Sequence, residues 1–250
     1  MALHDSPITL PAAERVAVLE YDAGLAEAVA EARRPRATAA SGAAVLRAAP
    51  GAWRPSDAAE AARGGFGLLV LGGVLVRRVG IGERYGAELL AAGDLLRPWQ
   101  HDGYAGVMPF EMTWQVVGDA RLAVLDLRWA AHMAPYPEVA AELAGRATAR
   151  ALRLAMLIAI AQHPRLEERM WLLFWELADR FGTVGPDGVH LDLPLTHELL
   201  AHLAAARRPS VSSALGRLAE RGIVRRTRAG WLITGPPPAR ARTPPPPGPR

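Results

Sequence analysis

Between positions 207 and 228 the chain carries seven arginines, Arg207, Arg208, Arg217, Arg221, Arg225, Arg226 and Arg228, against a lone acid, Glu220. The local charge of +6 exceeds the +4 of all 250 residues. Guanidinium groups at this density, beside a helix able to enter a groove, suit the phosphates of a nucleic-acid duplex. Interleaved with them are Pro209, Ser210, Ser212 and Ser213, small side chains that allow close approach. Their hydroxyls can hydrogen-bond base edges. A solvated basic face on an ordinary helical hairpin is the rival explanation, and the elements expected around the arginines weigh against it.

Those elements start at Thr196, whose hydroxyl suits a helix N-cap, with Leu195 and Leu200 at the spacing of a hydrophobic staple. Leu199, Leu200 and Leu203 give this helix one apolar face. A turn is expected over 204–207, and Pro209 suits the first turn of a second helix. Val211, Ala214, Leu215 and Leu218 form the second helix's buried stripe, with Pro209, Ser213, Gly216 and Arg217 opposite. Gly222 is placed to end it in the left-handed region. Residues 223–227 and 231–234 read as strands joined by Arg228-Ala229-Gly230. The pattern is a winged helix-turn-helix. Its expected DNA contacts are Thr196, Arg207, Arg208, Pro209, Ser210, Ser212, Ser213, Arg217, Arg225, Arg226 and Arg228. Of these, Arg208 to Ser213 and Arg217 would face the major groove, and Arg225, Arg226 and Arg228 the phosphates.

Leu195-Thr196-His197, Arg208-Pro209-Ser210-Val211-Ser212 and the Gly222 hairpin together resemble the DNA-binding domain of Crp/Fnr-type transcription regulators. The similarity is strongest over 136–234. It is weaker over about 43–134, where Tyr85-Gly86-Ala87-Glu88-Leu89-Leu90 and Gly93-Asp94-Leu95 are similar to that family's sensor domain. The resemblance implies a cyclic-nucleotide-binding-like β-roll, a homodimer, double-stranded DNA as partner, RNA polymerase as a further candidate partner, and a small-molecule effector. The chain departs from better-known members on the second helix, where Pro209 and Ser213 stand in place of a base-contacting Glu and Arg. It departs again after the Gly-Asp turn. Cyclic-nucleotide-binding members place a Gly-Glu pair and an arginine there, whereas residues 98–120 hold no arginine and Glu111 follows Phe110. A buried phosphodiester needs such a charge-assisted partner, so cyclic AMP is not the expected effector. Trp99, Tyr104, Met108, Phe110, Met112 and Trp114 are left as either core or the lining of an apolar pocket.

Upstream, Val16 to Leu19 reads as a strand, 25–32 as a short helix ending before Pro35, and 36–42 as a loop. From Gly67, short apolar runs separated by glycine turns predict strands. Hairpins are expected across Gly72-Gly73 and across Gly118-Asp119, in an antiparallel barrel or jelly roll. Pro135 and Pro137 end this region, and a helix is expected to about Ala161. Leu143, Ala147, Arg150, Leu154, Leu157 and Ala161 recur by fours and threes as a coiled-coil seam with one charged exception, and are the expected dimer interface. Leu152, Met156, Ile158 and Ile160 make the other side apolar too. One face would pack on the β-domain and the other on a second subunit. After His163-Pro164 a further helix carries Leu166, Met170, Leu173, Phe174 and Leu177 inward, and 189–193 is a short strand.

Other chemistries are poorly served. With no cysteine, disulfides, iron–sulfur clusters and thiolate metal sites are excluded. His197 and His202 are five apart, about 140° around a helix, and cannot share a metal on one face. His101 and His132 are isolated candidates for haem, and no catalytic constellation stands out, so neither an enzyme nor a cofactor is expected. No apolar run reaches membrane-spanning length and no leader pattern opens the chain, which points to a cytoplasmic protein. The expected fold is α+β. Residues 1–134 form the antiparallel β-roll, 135–162 the central dimerisation helix, 163–235 the winged helix-turn-helix, and 236–250 a disordered proline-rich tail. Two rivals are a non-sensing architectural DNA-binding dimer and a small-molecule-binding β-barrel enzyme fused to a DNA-binding domain.

Overall fold

The computed structural model describes residues 14–55, 60, 62–99 and 108–238, and the chain divides into two compact units between Met156 and Leu157. His101, Tyr104 and the tail from 239 onward lie outside the described residues.

The first unit is built on strands β1 (Arg15–Ala17), β2 (Gly42–Ala48), β3 (Gly51–Trp53), β4 (Gly67–Gly72), β5 (Leu75–Ile81), β6 (Arg84–Leu90), β7 (Leu95–Leu96), β8 (Glu111–Val116) and β9 (Ala120–Leu125). They form two antiparallel sheets, β1-β2-β9-β4-β7 and β3-β8-β5-β6. Leu46, Leu68, Leu75, Leu90, Trp114 and Leu122 fill one core cluster from both sheets. The expected β-roll is present, but its corners differ from the sequence reading. Strands β4 and β5 lie in different sheets, as do β8 and β9, so Gly72-Gly73 and Gly118-Asp119 are corners between sheets and not hairpin turns. The two corners pack together. Gly73 sits at φ +85°, and a Cβ there would come within 2.4 Å of the Asp119 carbonyl oxygen. Only glycine fits both demands. The true hairpin is β5–β6, paired from Leu75↔Leu90 to Ile81↔Arg84.

Helices cover the first sheet: α1 (Val18–Tyr21), α2 (Ala23–Ala28), α3 (Arg34–Ala40) and α4 (Leu127–Met133). Two of these correct the sequence reading. Val18 and Leu19 are helical, and the expected 36–42 loop is mostly α3, with Pro35 tolerated in its first turn. Asp126 caps α4 by accepting from Trp129 N–H at 2.7 Å, and Trp129 then donates from its indole to Ser41 O at 3.0 Å in the buried layer.

The long helix α5 (Pro137–Ala161) has the expected bounds. Its inward side carries the unit's least expected interaction. Glu88, 7% exposed, is gripped by two guanidiniums: Arg150 at 2.5 and 2.9 Å and Arg77 at 2.7 Å. Arg150 also donates to Leu95 O at 3.0 Å. One turn earlier, Arg146 binds the Asp22 carboxylate at 2.5 and 2.7 Å, and Leu143 is 1% exposed in the unit's own core. Leu143 and Arg150 are therefore corrected: both are inside their own unit and unavailable to a subunit seam. The charged exception in the heptad pattern was the sign, since a buried arginine needs a carboxylate and Glu88 supplies it.

The second unit has α6 (Leu166–Phe181), β10 (Gly182–Gly185), β11 (Gly188–Leu191), α7 (His197–Leu203), α8 (Arg208–Glu220), β12 (Val224–Arg226) and β13 (Trp231–Ile233). The strands form one sheet, β10-β11-β13-β12, so the expected single strand near 189 is half of a hairpin. Met170, Leu173, Phe174, Leu200, Val211, Leu215, Leu218 and Trp231 are buried, with Phe174 and Trp231 ring centroids 5.2 Å apart.

The Glu88 cluster gives a stability prediction. Glu88→Gln would leave Arg77 without a counter-charge and Arg150 with only the field of Asp94, a change that costs about 3 kcal/mol. Denaturant unfolding of the full chain should show a loss of that order. An unchanged midpoint would mean that the cluster is not held in solution.

Candidate nucleic-acid interface and cavity

The helix-turn-helix is assembled by local capping. Thr196 Oγ1 accepts from Leu199 N–H at 3.1 Å, as its position before an apolar run predicts. Helix α7 ends in a tight turn in which Ala205 takes φ +49°, a region that side chains with a Cβ rarely adopt. Arg169 of α6 holds that turn, donating to Ala204 O at 2.9 Å and Ala205 O at 3.3 Å, and to His163 O at 2.7 Å. Pro209 lies in the first turn of α8, whose buried side is Val211, Ala214, Leu215 and Leu218. Gly222, at φ +66°, ends the helix before the wing.

Arg207, Arg208, Pro209, Ser210, Ser212, Ser213 and Arg217 are all exposed on or just before α8. The structure separates them by what they already hold. Ser212 donates to Arg208 O at 3.1 Å, and its oxygen lies 2.8 Å from His197 Nδ1. With the serine proton on the carbonyl, the histidine donates and ties the start of α7 to α8. Ser213 donates to Pro209 O at 3.2 Å. Arg217 differs from its expected groove-facing role: its Nε–H is paired with Glu167 of α6, and Arg221 lies 3.7 Å from the same carboxylate. Arg207 and Arg208 are thus left as the cations at the head of the helix.

The wing arginines also part company. Residues alternate across a strand, and Arg226 is paired in register with Trp231. Its guanidinium lies 5.0 Å from the Trp231 ring centroid and donates to Leu195 O at 3.1 Å, on the side of α7. Arg225 faces the other way, 3.8 Å from Asp187 in the β10–β11 turn. The expectation that Arg225 and Arg226 act alike is not matched by their placement. Thr196 is exposed beside this face, and Arg228 is exposed in the wing turn.

His197, which the sequence reading did not place on this face, sits at its centre, bound to Ser212 and 6.1 Å from Trp231 by ring centroids. Burial, then the charges of Arg226 and Arg208, holds its imidazole below the ordinary histidine range. No sequence signal marked it, because Ser212 and Arg226 reach it only through the tertiary fold.

The first unit contains a second candidate site, a half-open cavity of about 1120 Å³ between β5, β8 and the inward side of α5. Met108, Phe110, Met112 and Trp114 line it, so these residues of the open core-or-pocket question form a pocket wall. Leu143, Ala147, Arg150 and Leu154, four members of the expected dimer seam, line it too. Although 98–120 lacks arginine, Arg77, Arg97, Arg146 and Arg150 reach the cavity from other elements. The opposite side of α5 is exposed and apolar, with Leu152 at 64% and Met156 at 45% exposure; Ile158, 63% exposed, falls on the side of Leu154 by helical rotation. Among the described residues no three His, Asp or Glu side chains come together as metal ligands, and no helix is long and apolar enough to cross a membrane.

A short helix, a tight turn, a second helix with an arginine-headed N-terminus and a two-stranded wing define a winged helix-turn-helix, a DNA-binding class of module. Comparison with known proteins agrees. Residues 168–237 match the family model of the Crp-like helix-turn-helix domain. The global nitrogen regulator of Synechocystis sp. (strain PCC 6803) is 26% identical over 101 residues, 40% of this chain and 45% of that protein, so the match spans under half of the curated relative. Among solved structures, a CooA mutant from Carboxydothermus hydrogenoformans aligns with a TM-score of 0.57 at 16% identity over 94% of both chains. A CRP-family transcriptional regulator from Thermus thermophilus aligns at 0.53 and 21% identity, over 76% of this chain and 91% of that one. FixK2 from Bradyrhizobium japonicum aligns at 0.55 and 15%, over 77% and 92%. The chain carries a Crp-like helix-turn-helix domain on the fold of Crp/Fnr-family regulators.

The His197 environment sets a pH dependence. The folded state takes up this proton at lower pH than the unfolded chain, so the stability contribution is present above about pH 6.5 and is lost as pH falls through the folded value. His197→Gln should therefore unfold with a smaller drop in midpoint between pH 7.5 and 5.0 than the parent chain. Equal drops in both proteins would remove His197 as the titrating group.

Proposed function

We propose that this protein is a homodimeric, sequence-specific DNA-binding transcription regulator whose β-roll cavity takes a small-molecule effector other than cyclic AMP. The observation that carries the reading is the face built by Arg208, Ser210, Ser213 and Arg226 around the head of α8. Helix α8 inserts its N-terminal part into the major groove, where a guanidinium can make paired hydrogen bonds to a guanine edge. Arg207, Arg226 and Arg228 contact phosphates, and Thr196 lies beside them. Arg217 and Arg225, held by acids of their own unit, contribute field more than contact. The cavity supports a ligand-gated protein over a purely architectural DNA binder.

Selection from a randomised duplex pool should return an inverted repeat with half-sites roughly 34 Å, or about 10 base pairs, apart. On the selected duplex Arg208→Ala should cost about 1–3 kcal/mol and relax the preference at one position per half-site. Arg226→Ala should weaken all duplexes alike and lower the slope of log affinity against log salt by about 1 per lost contact. If the parent chain neither discriminates duplexes nor responds to salt, the DNA-binding reading falls.

The dimer is proposed to form along the outward side of α5, through Gly145, Ala149, Leu152 and Met156. These small and apolar residues are exposed in the single chain, where the six first picked from heptad spacing lie on the opposite side. An unpaired charge buried there costs several kcal/mol, so Leu152→Asp should sediment as a monomer with an unchanged far-ultraviolet spectrum. A Leu152→Asp protein that remains dimeric would place the interface elsewhere.

A further inference from the structure

The cavity wall carries Asp94, which acts on Arg150 as Glu88 does and leaves Arg77 dependent on Glu88 alone. Arg77 and Arg150 share the single carboxylate of Glu88, and the Nε–H of Arg77 is buried without a hydrogen-bond partner. The other arginine deep in the wall, Arg146, is saturated by Asp22 and Glu142, and Arg97 is exposed and donates to Gly65 O at 3.3 Å. Arg77 alone therefore combines a buried position, a half-shared counter-ion and a spare donor. Desolvation, and secondarily the neighbouring Arg150, depress its pKa even though Glu88 pulls the other way, as expected of a cation short of negative charge.

The surroundings of Arg77 are apolar. It pairs in register with Trp114 across β5 and β8, and Val79 pairs with Met112. These side chains line the cavity with Phe110, and Leu154 contributes from α5. A small, heavily hydrated anion gains nothing from such walls, and a purely apolar molecule leaves the Arg77 donor unpaired. A buried polar group left without a partner is costly, and an anionic head group on an apolar body would relieve that cost. A guanidinium edge matches a carboxylate with two parallel hydrogen bonds.

We propose that this cavity binds a carboxylic acid with an aromatic or hydrocarbon body, its carboxylate on Arg77 beside Arg150 and its body against Phe110, Met112, Trp114 and Leu154. This deepens the reading of the cavity as an effector site and names its ligand class. The incoming carboxylate supplies Arg77 with a negative charge beside the one it shares with Arg150 at Glu88. It reaches Arg150, so it acts on the contact by which β6 holds α5.

The test uses the full chain and calorimetric titration with 4-phenylbutanoate, its uncharged analogue 4-phenylbutanamide, inorganic phosphate and cyclic AMP. The acid should bind at least tenfold more tightly than the amide, with phosphate and cyclic AMP weaker than the acid. Arg77→Met leaves Glu88 paired with Arg150, so the fold is retained; it should weaken the acid at least tenfold and leave the amide unchanged. Equal binding of acid and amide to the parent chain overturns the proposal without any variant. So does tighter binding of phosphate or cyclic AMP, no heat with any probe at millimolar concentration, or unchanged acid affinity in a folded Arg77→Met. Salt-dependent duplex binding by the same preparation reports on the regulator function separately. Its persistence alongside failed titrations would sink the ligand class and leave the DNA-binding reading standing.

Discussion

A buried carboxylate shared by two guanidiniums organises the first unit. Glu88 projects from β6, Arg77 from the adjacent β5, and Arg150 from a helix 62 residues further along the chain. Taking these charges out of water is costly, and their attraction compensates only when hydrogen bonds satisfy the remaining donors. Arg150 meets that condition by donating to Leu95 O as well as to Glu88. The side of α5 facing the β-roll is thereby set, and with it the side left for another molecule. The same cluster supplies the charged part of an otherwise apolar cavity wall.

How much of this was legible follows from how far apart the cooperating residues lie in sequence. The winged helix-turn-helix could be read because its determinants are local: Thr196 caps three residues on, Pro209 opens a helix it belongs to, and Gly222 ends it. The β-roll could be recognised by its short strands, but not its connections. A glycine pair between apolar runs looks alike whether the chain reverses within a sheet or crosses between two, and contact between Gly73 and the Asp119–Ala120 corner decides it. The prolines and the heptad spacing located α5, but the seam picked from that spacing includes Leu143 and Arg150, which face their own unit. Both sides are apolar, and Arg150 signalled a buried acid without identifying one as distant as Glu88.

The basic block illustrates a second limit. Counting arginines gives the charge of the face but not its distribution, because Glu167 and Asp187 lie outside the 207–228 window. Glu167 draws Arg217 and Arg221 toward α6. Strand alternation then sends Arg225 and Arg226 to opposite sides of the wing. The positive charges of Arg226 and Arg208 meet at His197, whose pKa is lowered first by burial and then by these two groups. A phosphate arriving there would meet donors already oriented by Leu195 O, Trp231 and the turn of α8, and little ordering would remain to be done on binding.

The chain has no lysine, and its two sites use the same property of the arginine side chain. A guanidinium stays charged when buried and presents a planar fork, so one group can hold two partners at fixed angles. Arg150 spans a carboxylate and a backbone carbonyl, and Arg226 spans a carbonyl and an indole face. A lysine at either position would keep the charge but reach only one of the two partners with good geometry. It would also lose its proton more readily on burial. The charge cluster of the β-roll and the basic face of the winged helix therefore depend on the fork as much as on the charge, and a lysine at either site would not be a conservative replacement.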